Sequence, residues 1–311
     1  MNLTDPIYQN AEKAREYIEA LHWPEGPVCP HCGSGDDRVT KLQGKSTRPG
    51  VYKCKDCEKP FTVTVGTVME DSKIPLNKWL MAFALVNGSK KGISAHQLHR
   101  SLGITYKSAW FMHHRIREAM TSTDDSPLGG PGHDIEADET YFGKNPDNHD
   151  NRMAIRRMNR IVSLIDRKTG RATSIVFNGV FNAETISAYL FTNVHRESRL
   201  ITDEYQGYKR PGLEFAAHRH VNHTQDEYVS RLDRTVHTNT VEGFFGIFKR
   251  GMKGIYQHCG QNHLHRYLAE FDFRYTYRSA NGFNDTERTA EALKGARGKR
   301  LTYRQPASLA A

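Results

Sequence analysis

His237-Thr-Asn-Thr-Val-Glu-Gly-Phe-Phe-Gly-Ile-Phe-Lys-Arg250 is the most informative stretch of the sequence. It predicts a turn that enters a helix, because Asn239 is a good N-cap residue and apolar residues follow it at helical spacing. Glu242 and Lys249 are two helical turns apart, so both side chains leave one face of that helix. A carboxylate and an ammonium placed in this way beside an apolar body suit a metal-dependent phosphoryl-transfer site.

The same stretch also allows a purely structural interpretation. Asn239-x-x-Glu242 fits a capping box, in which Glu242 folds back to cap the start of its own helix. These residues alone do not decide between the two interpretations, and the rest of the chain has to be considered.

Composition favours a nucleic-acid partner. The 311 residues carry a formal charge of +9 and a sequence pI of about 9.2, which suggests a polyanionic ligand, and nucleic acid is the commonest one. The length allows one large domain with one or two small ones. The sequence has no apolar run of membrane-spanning length, no secretory h-region and no lipidation motif, so we expect no membrane partner and a cytoplasmic, nucleoid-associated protein.

Two Cys-x-x-Cys pairs predict a structural zinc site. Cys29 and Cys32 form the first pair and Cys54 and Cys57 the second, while Cys259 stands alone. Two such turns aim four thiolates at one tetrahedral centre, and strand-like residues flank the second pair, as in a zinc ribbon. The odd cysteine count without an export signal argues against a disulfide framework. We therefore expect one structural Zn²⁺.

The segments around the cysteines are predicted to be helical. Residues 6–22 have the spacing of an amphipathic helix that ends before Pro24. Residues 74–120 predict three helices, with a turn at Gly103 between the second and the third, which is a helix-turn-helix pattern. The third helix would enter the major groove of DNA with its first residues, namely Thr105, Tyr106, Lys107 and Ser108.

A polar segment rich in Gly and Pro, residues 121–133, is the clearest linker and predicts the main domain boundary. Beyond it, strands are predicted over 134–143, 160–166, 172–177 and 200–203, with a helix over 182–191 and further helices towards the C-terminus. This order predicts an α/β domain with a mixed sheet.

Three acids in this domain are candidate ligands for catalytic metal ions. Asp138 and Asp203 end apolar-flanked strands, and Glu242 begins a helix, so the three can meet at one edge of a sheet. Like charges this close require cations, and Mg²⁺ suits both oxygen ligands and phosphate chemistry. Glu139 and Glu204 directly follow the two aspartates and point to the opposite side of a strand, so we rank them second.

Several ordered motifs resemble the zinc-ribbon DDE transposases of bacterial insertion sequences, the ISXO-type group. The resemblance covers roughly residues 15–280. It is carried by Cys29-Pro-His-Cys32, Tyr52-Lys-Cys54-Lys-Asp-Cys57, Ala137-Asp-Glu-Thr-Tyr-Phe-Gly143, Thr202-Asp-Glu-Tyr205, His237-Thr-Asn-Thr-Val-Glu-Gly243 and Leu264-His-Arg-Tyr-Leu-Ala-Glu-Phe-Asp-Phe-Arg-Tyr275.

The resemblance implies a ribonuclease-H-like catalytic domain in which Asp138, Asp203 and Glu242 bind two Mg²⁺ (or Mn²⁺) ions. Such a protein would bind the terminal inverted repeats of a mobile element, cleave DNA with metal-activated water and join the 3′-hydroxyl ends to target DNA. Lys249 falls where the family has a basic residue after the third acid, and together with Arg250 it would contact phosphate. Joining two DNA ends also implies a homo-oligomer on double-stranded DNA.

These expectations divide the chain into five segments. They are an N-terminal helix and zinc ribbon (1–72), a helix-turn-helix segment (73–122), a linker (123–133), a catalytic domain (134–280) and a basic C-terminal tail (281–311).

Two other functions remain open at this point. One is a DNA-binding regulator derived from a transposase without catalysis. The other is a zinc hydrolase that would use Asp138 with His218, His220 and His223.

Overall fold

The computed structural model describes residues 2–144 and 158–303, and the chain divides into two compact units. The first unit comprises residues 1–121 together with 283–311, and the second comprises residues 122–282. Most of the Arg-rich loop predicted after residue 144 lies outside the described residues. Within the described part of the chain, no helix is both long and apolar enough to cross a membrane.

The first unit begins with two short helices, α1 (Pro6–Gln9) and α2 (Ala11–His22). The single helix predicted over residues 6–22 is wrong in one respect, because it is interrupted at Asn10. The Asn10 side chain accepts hydrogen bonds from the backbone N–H groups of Glu12 and Lys13, and so caps α2. An Asn that can satisfy these free N–H groups favours a helix start over helix continuation.

A three-stranded antiparallel sheet follows, with β1 (Val39–Lys41), β2 (Tyr52–Cys54) and β3 (Pro60–Phe61) in that spatial order. Its small core contains Cys29, Cys54 and Phe61. Trp23 packs edge-on against Tyr52 and Phe61, with ring centroids 5.3 and 6.0 Å away.

Three helices follow the small sheet: α3 (Leu76–Asn87), α4 (Ala95–Leu102) and α5 (Tyr106–Met120). Ser94 caps α4, and Gly103 ends it in the left-handed conformation at φ 57°, which glycine adopts without strain. Thr105 caps α5 by accepting a hydrogen bond from the Ser108 N–H. The turn between α4 and α5 is therefore short and defined by local side-chain chemistry.

The C-terminal segment belongs to the first unit. Where the sequence suggests a tail from residue 281, the structure has helix α10 (Asp285–Lys294) with Leu293, Ala296 and Leu301 buried. The Arg288 guanidinium donates to the Asn87 carbonyl at 2.9 Å, and the Leu293 carbonyl is 2.9 Å from His22 Nε2. Residues 283–303 thus complete the core around α2, α3 and α5.

The second unit is built on a five-stranded mixed sheet in the order β6-β5-β4-β7-β8. The strands are β4 (Asp134–Phe142), β5 (Asn159–Asp166), β6 (Ala172–Phe177), β7 (Arg199–Thr202) and β8 (Ala217–His220). β4, β5 and β6 pair antiparallel, whereas β7 is parallel to both β4 and β8. The predicted mixed sheet is confirmed.

Helices cover both faces of this sheet. The helices are α6 (Ala183–Asn193), α7 (Lys209–Gly212), α8 (Asn239–Gly251), which continues into a π-helical turn (Met252–Tyr256), and α9 (Leu264–Thr276). On one face α6 packs through Ile186 and Leu190 in a core with Ala137. On the other face α8 and α9 pack against Ile161 and Ile165. Because side chains alternate along β4, Glu136 and Asp138 lie on the α8 face.

Candidate functional site

Asp138 and Asp203 are carried by neighbouring strands. β4 and β7 pair in parallel with Asp134 opposite Arg199 and Glu136 opposite Ile201. Continuing this register by two residues brings Asp138 opposite Asp203, which directly follows β7. Adjacent strands are about 4.8 Å apart, so the two aspartates lie side by side.

Asp138 is a buried carboxyl group close to several other acids. Burial raises the pKa of its carboxyl to about 8, and the charges of Glu139, Asp203 and Glu242 act in the same direction. Its Oδ1 accepts one hydrogen bond, from the Glu139 N–H at 2.7 Å. The three acids singled out in the sequence are thus close enough for the other two to act on Asp138.

The two glutamates ranked second differ in their surroundings. Glu139 accepts a hydrogen bond from the buried Tyr208 hydroxyl at 2.9 Å, and burial together with the charge of Asp203 raises its pKa to about 7. Burial also acts to raise the pKa of Glu204, but hydrogen bonds from Thr224 and from the backbone N–H groups of His223 and Thr224 outweigh it and lower this pKa to about 2. Glu139 is therefore close enough to Asp138 to help raise its pKa, whereas Glu204 holds the loop at residues 223–224.

Glu242 is held by side chains that precede it in the chain. The buried Thr238 hydroxyl donates to Glu242 Oε1 at 2.6 Å, and His223 Nε2 lies 3.3 Å from the same oxygen. The N-cap of α8 is Thr238 rather than Asn239, and its side chain makes no capping hydrogen bond. The carboxylate of Glu242 is directed to Thr238 and His223, which disfavours the capping-box interpretation.

Sequence reasoning missed Glu136, which connects the strand of Asp138 to the helix of Glu242. This fully buried carboxylate accepts a hydrogen bond from the Val241 N–H at 2.8 Å and forms an ion pair with Arg167. The sequence did contain one indication of its importance. Glu136 is two residues before Asp138, so both lie on the same face of the strand, and an acid buried on that face needs a specific partner.

Lys249 and Arg250 lie in the last turn of α8, with Lys249 half-buried and Arg250 exposed. Two turns separate Lys249 from Glu242, so both project from one side of the helix, as the sequence predicts.

The four paired cysteines come together as predicted. Their sulfur atoms all lie within 4.8 Å of one another, with Cys29 Sγ 3.7 Å from Cys57 Sγ and Cys32 Sγ 3.6 Å from Cys54 Sγ. A hydrogen bond with Ser34 lowers the pKa of the Cys32 thiol to about 6. Four such sulfurs form the donor set of a closed tetrahedral zinc site.

In the described ranges, no other group of three His, Cys, Asp or Glu ligand atoms meets this 4.8 Å limit. The hydrolase hypothesis based on Asp138 and the three histidines therefore lacks its cluster: His218 Nε2 is 3.0 Å from the Thr202 hydroxyl, while His223 faces Glu242. The limit is also unmet by Asp138, Asp203 and Glu242 together.

The candidate DNA-reading residues are at the start of α5. Tyr106 is exposed and stacks on His96 with ring centroids 4.2 Å apart, and Lys107 is exposed with its Nζ 4.8 Å from the Tyr303 ring. Thr105 and Ser108 hydrogen-bond to each other at the N-cap.

Comparisons with known proteins define the class. Residues 127–276 match the family model described as the ISXO2-like transposase domain, and residues 9–60 match the transposase zinc-ribbon domain. The chain is 25% identical over 292 residues to an uncharacterized protein in transposable element ISH50 of Halobacterium salinarum, which covers 86% of this chain and 91% of that protein.

A solved structure of the simian T-cell lymphotropic virus intasome in complex with PP2A regulatory subunit B56 gamma also matches. The identity is 13% and the TM-score 0.29, over 63% of this chain and 65% of that chain. A likeness at this TM-score carries no argument about fold or function.

The two family models place this chain among the transposases. More specifically, it belongs to the insertion-element transposases that have an N-terminal zinc ribbon and an ISXO2-like transposase domain. The resemblance seen in the sequence is confirmed at this level.

Proposed function

We propose that this transposase cleaves DNA at the ends of its element and joins them to target DNA, with Asp138, Asp203 and Glu242 as ligands for two Mg²⁺ (or Mn²⁺) ions. The observation that carries the proposal is the convergence of three carboxyl groups. Asp203 follows the strand next to that of Asp138, and the charges of Asp203 and Glu242 both help to raise the pKa of Asp138. Buried carboxylates in such a group are stabilised by hard cations with oxygen ligands, so the donor set fits Mg²⁺.

When bound, the ions would supply Lewis acidity at the phosphate. Asp138, Asp203 and Glu242 would hold the ions. Thr238 and His223 would orient Glu242 through the contacts described above. Lys249 would hold a phosphate of the DNA as a point charge, and Arg250 would contact the backbone nearby.

The chemistry requires no covalent protein intermediate. Water attacks the phosphodiester at the element end and releases a 3′-hydroxyl, which then attacks target DNA. The second unit would be ribonuclease-H-like, as the family resemblance implies. Asp138 on β4 and Asp203 directly after the parallel strand β7 support this. Because two ends are joined, we propose a homo-oligomer on double-stranded DNA.

The first unit would bind the terminal inverted repeats. Its four cysteines would hold one structural Zn²⁺. Helices α4 and α5 would form the helix-turn-helix, and Thr105, Tyr106, Lys107 and Ser108 would enter the major groove. The exposure of Tyr106 and Lys107 supports this role.

The decisive experiment incubates the full chain with linear DNA carrying candidate element ends, in Mg²⁺ or EDTA, and scores cleavage and joining. Asp138→Ala should abolish both reactions while end binding survives. Asp125→Ala, which removes an exposed carboxylate, is the matched control and should react like the wild type. Mg²⁺-dependent cleavage by Asp138→Ala would contradict the proposal, and end binding without any cleavage by the wild type would favour a non-catalytic regulator.

A further inference from the structure

We propose that Glu136 and Arg167 form a positioning pair that sets the location of Glu242 relative to Asp138. The inference rests on the proposed function, because it concerns the geometry of the same three acids. Neither residue belongs to the predicted ligand set.

The first part of the argument is how helix α8 is capped. The first N–H groups of a helix have no partner within the helix, and a side chain at the N-cap usually satisfies one of them. Here the Thr238 hydroxyl donates to Glu242 and makes no such bond. Glu136, on strand β4, accepts from the Val241 N–H instead, at 2.8 Å. The start of α8 is therefore bound directly to the strand that carries Asp138.

The second part is the role of Arg167. Its Nε bonds to the other carboxylate oxygen of Glu136, and its terminal nitrogens donate to the carbonyls of Thr235 and His237 and, at 2.9 Å, to His237 Nδ1. The Arg167 backbone N–H also donates to the Asp134 carbonyl at 3.0 Å. Arg167 thus ties the loop that precedes α8 to β4, through its side chain at Glu136 and through its backbone at Asp134.

Together these bonds form a short, stiff path between two of the acids. Asp138 is two residues from Glu136 on one face of β4, and Glu242 directly follows Val241. Glu136 is fully buried, and a buried carboxylate is costly unless it is paired. Here the Glu136 carboxylate is paired with Arg167 and bonded to α8, so it connects strand β4, which carries Asp138, to the helix that carries Glu242.

The test measures Mn²⁺ binding to the full-length, zinc-loaded protein by electron paramagnetic resonance of free Mn²⁺. Glu136→Gln keeps the volume and an oxygen for the Val241 N–H but removes the charge that holds Arg167. Loss of residues that orient metal ligands typically weakens metal binding about 10–100-fold, and we expect a loss of that size.

Asp272→Asn is the matched control. Asp272 accepts hydrogen bonds from the N–H and hydroxyl of Ser174 on β6, both at 2.7 Å, and burial raises its pKa to about 7. It belongs to the same unit but is bonded to the sheet edge rather than to the acid cluster. Asp272→Asn should bind Mn²⁺ within about twofold of the wild type even if its unfolding temperature falls.

Three further results distinguish a failure of the positioning role from a failure of the proposed cation site. Glu136→Gln that binds Mn²⁺ as tightly as Asp272→Asn overturns the positioning role. If Glu136→Gln does not fold, Arg167→Lys takes its place and should show the same loss, because lysine cannot reach Glu136 and the loop carbonyls at once. Equal Mn²⁺ binding by the wild type and Asp138→Asn would overturn the proposed cation site itself, and with it this inference.

Discussion

Asp203 directly follows β7 and, when the parallel register of β4 and β7 is continued, lies opposite Asp138; the charge of Asp203 helps to raise the pKa of Asp138. This relationship explains why a cation should stabilise the folded chain, since it would relieve the repulsion only where the strands are paired.

The first prediction concerns this stabilisation. A cation at 100 times its dissociation constant adds about 2.7 kcal/mol to the free energy of unfolding, or roughly 5–10 °C in unfolding temperature for a unit of this size. We expect such a rise with Mn²⁺ for the wild type and little rise for Asp203→Asn, measured by differential scanning calorimetry. Asp125→Ala should retain the rise, and an equal rise in Asp203→Asn would exclude Asp203 as a ligand.

Thr238 gives a second prediction, because its buried hydroxyl orients Glu242 at 2.6 Å. Thr238→Val keeps the shape but removes the donor, so end cleavage should fall about 10–100-fold while DNA binding is unchanged. Thr238→Ser retains the hydroxyl and should restore most of the cleavage rate. Wild-type cleavage by the Val variant would show that Glu242 needs no such support.

Zinc content provides a third prediction. The purified chain should contain one zinc ion, measured by atomic emission. Cys32→Ser should lose it and unfold the small sheet, because metal binding stabilises such a module. Cys259→Ser is the matched control, since Cys259 is not one of the four clustered cysteines, and it should retain one zinc. Two zinc ions in the wild type would instead revive the hydrolase hypothesis.

His218 gives a pH dependence. Burial, together with the charges of His220 and Arg219, lowers its pKa from the ordinary 6.5 to about 4. Between those values the unfolded chain binds a proton that the folded chain does not, so stability is complete above pH 6.5 and is lost as the pH falls towards 4. Urea unfolding at pH 7 and pH 5 should show this loss, and it should be smaller in His218→Asn. An identical pH dependence in that variant would show that other groups are responsible.

The C-terminal helix gives a fifth prediction. Leu293 is fully buried, and its truncation to alanine should lower the free energy of unfolding of the first unit by about 2–5 kcal/mol. Lys294→Ala changes an exposed neighbour and should cost less than about 1 kcal/mol. Denaturant unfolding measures the free energy of unfolding of each variant. If Leu293→Ala and Lys294→Ala were equally stable, α10 would not be part of the core.

The sequence predicted best what local spacing determines. The Cys-x-x-Cys pairs dictate their own turns, and the four sulfurs met as expected. Asp203 directly follows β7, as the apolar run before it predicted, but the expectation that Asp138 ends its strand is wrong, because β4 continues to Phe142. No local pattern specified the parallel pairing of β4 with β7, which brings the two aspartates close together.

Contacts between distant segments were harder to predict. Glu136 becomes important only because α8 begins above it, and Arg167 only because the loop from Thr235 to His237 passes beside it. Helix α10 was hidden by its charged residues, which made a segment with few apolar positions resemble a solvated tail. In each case the role of the residue or helix depends on tertiary packing, which the periodicity of the sequence does not predict.

The return of residues 283–303 to the first unit has a consequence for synthesis on the ribosome. Helices α2, α3 and α5 emerge early, but the side chains that close their core are translated only after the whole second unit. A nascent chain can therefore fold the five-stranded sheet of the second unit before helix α10 of the first unit has been synthesised. Premature termination would leave the amino-terminal part of the first unit with exposed apolar surface, and cellular proteases would remove it.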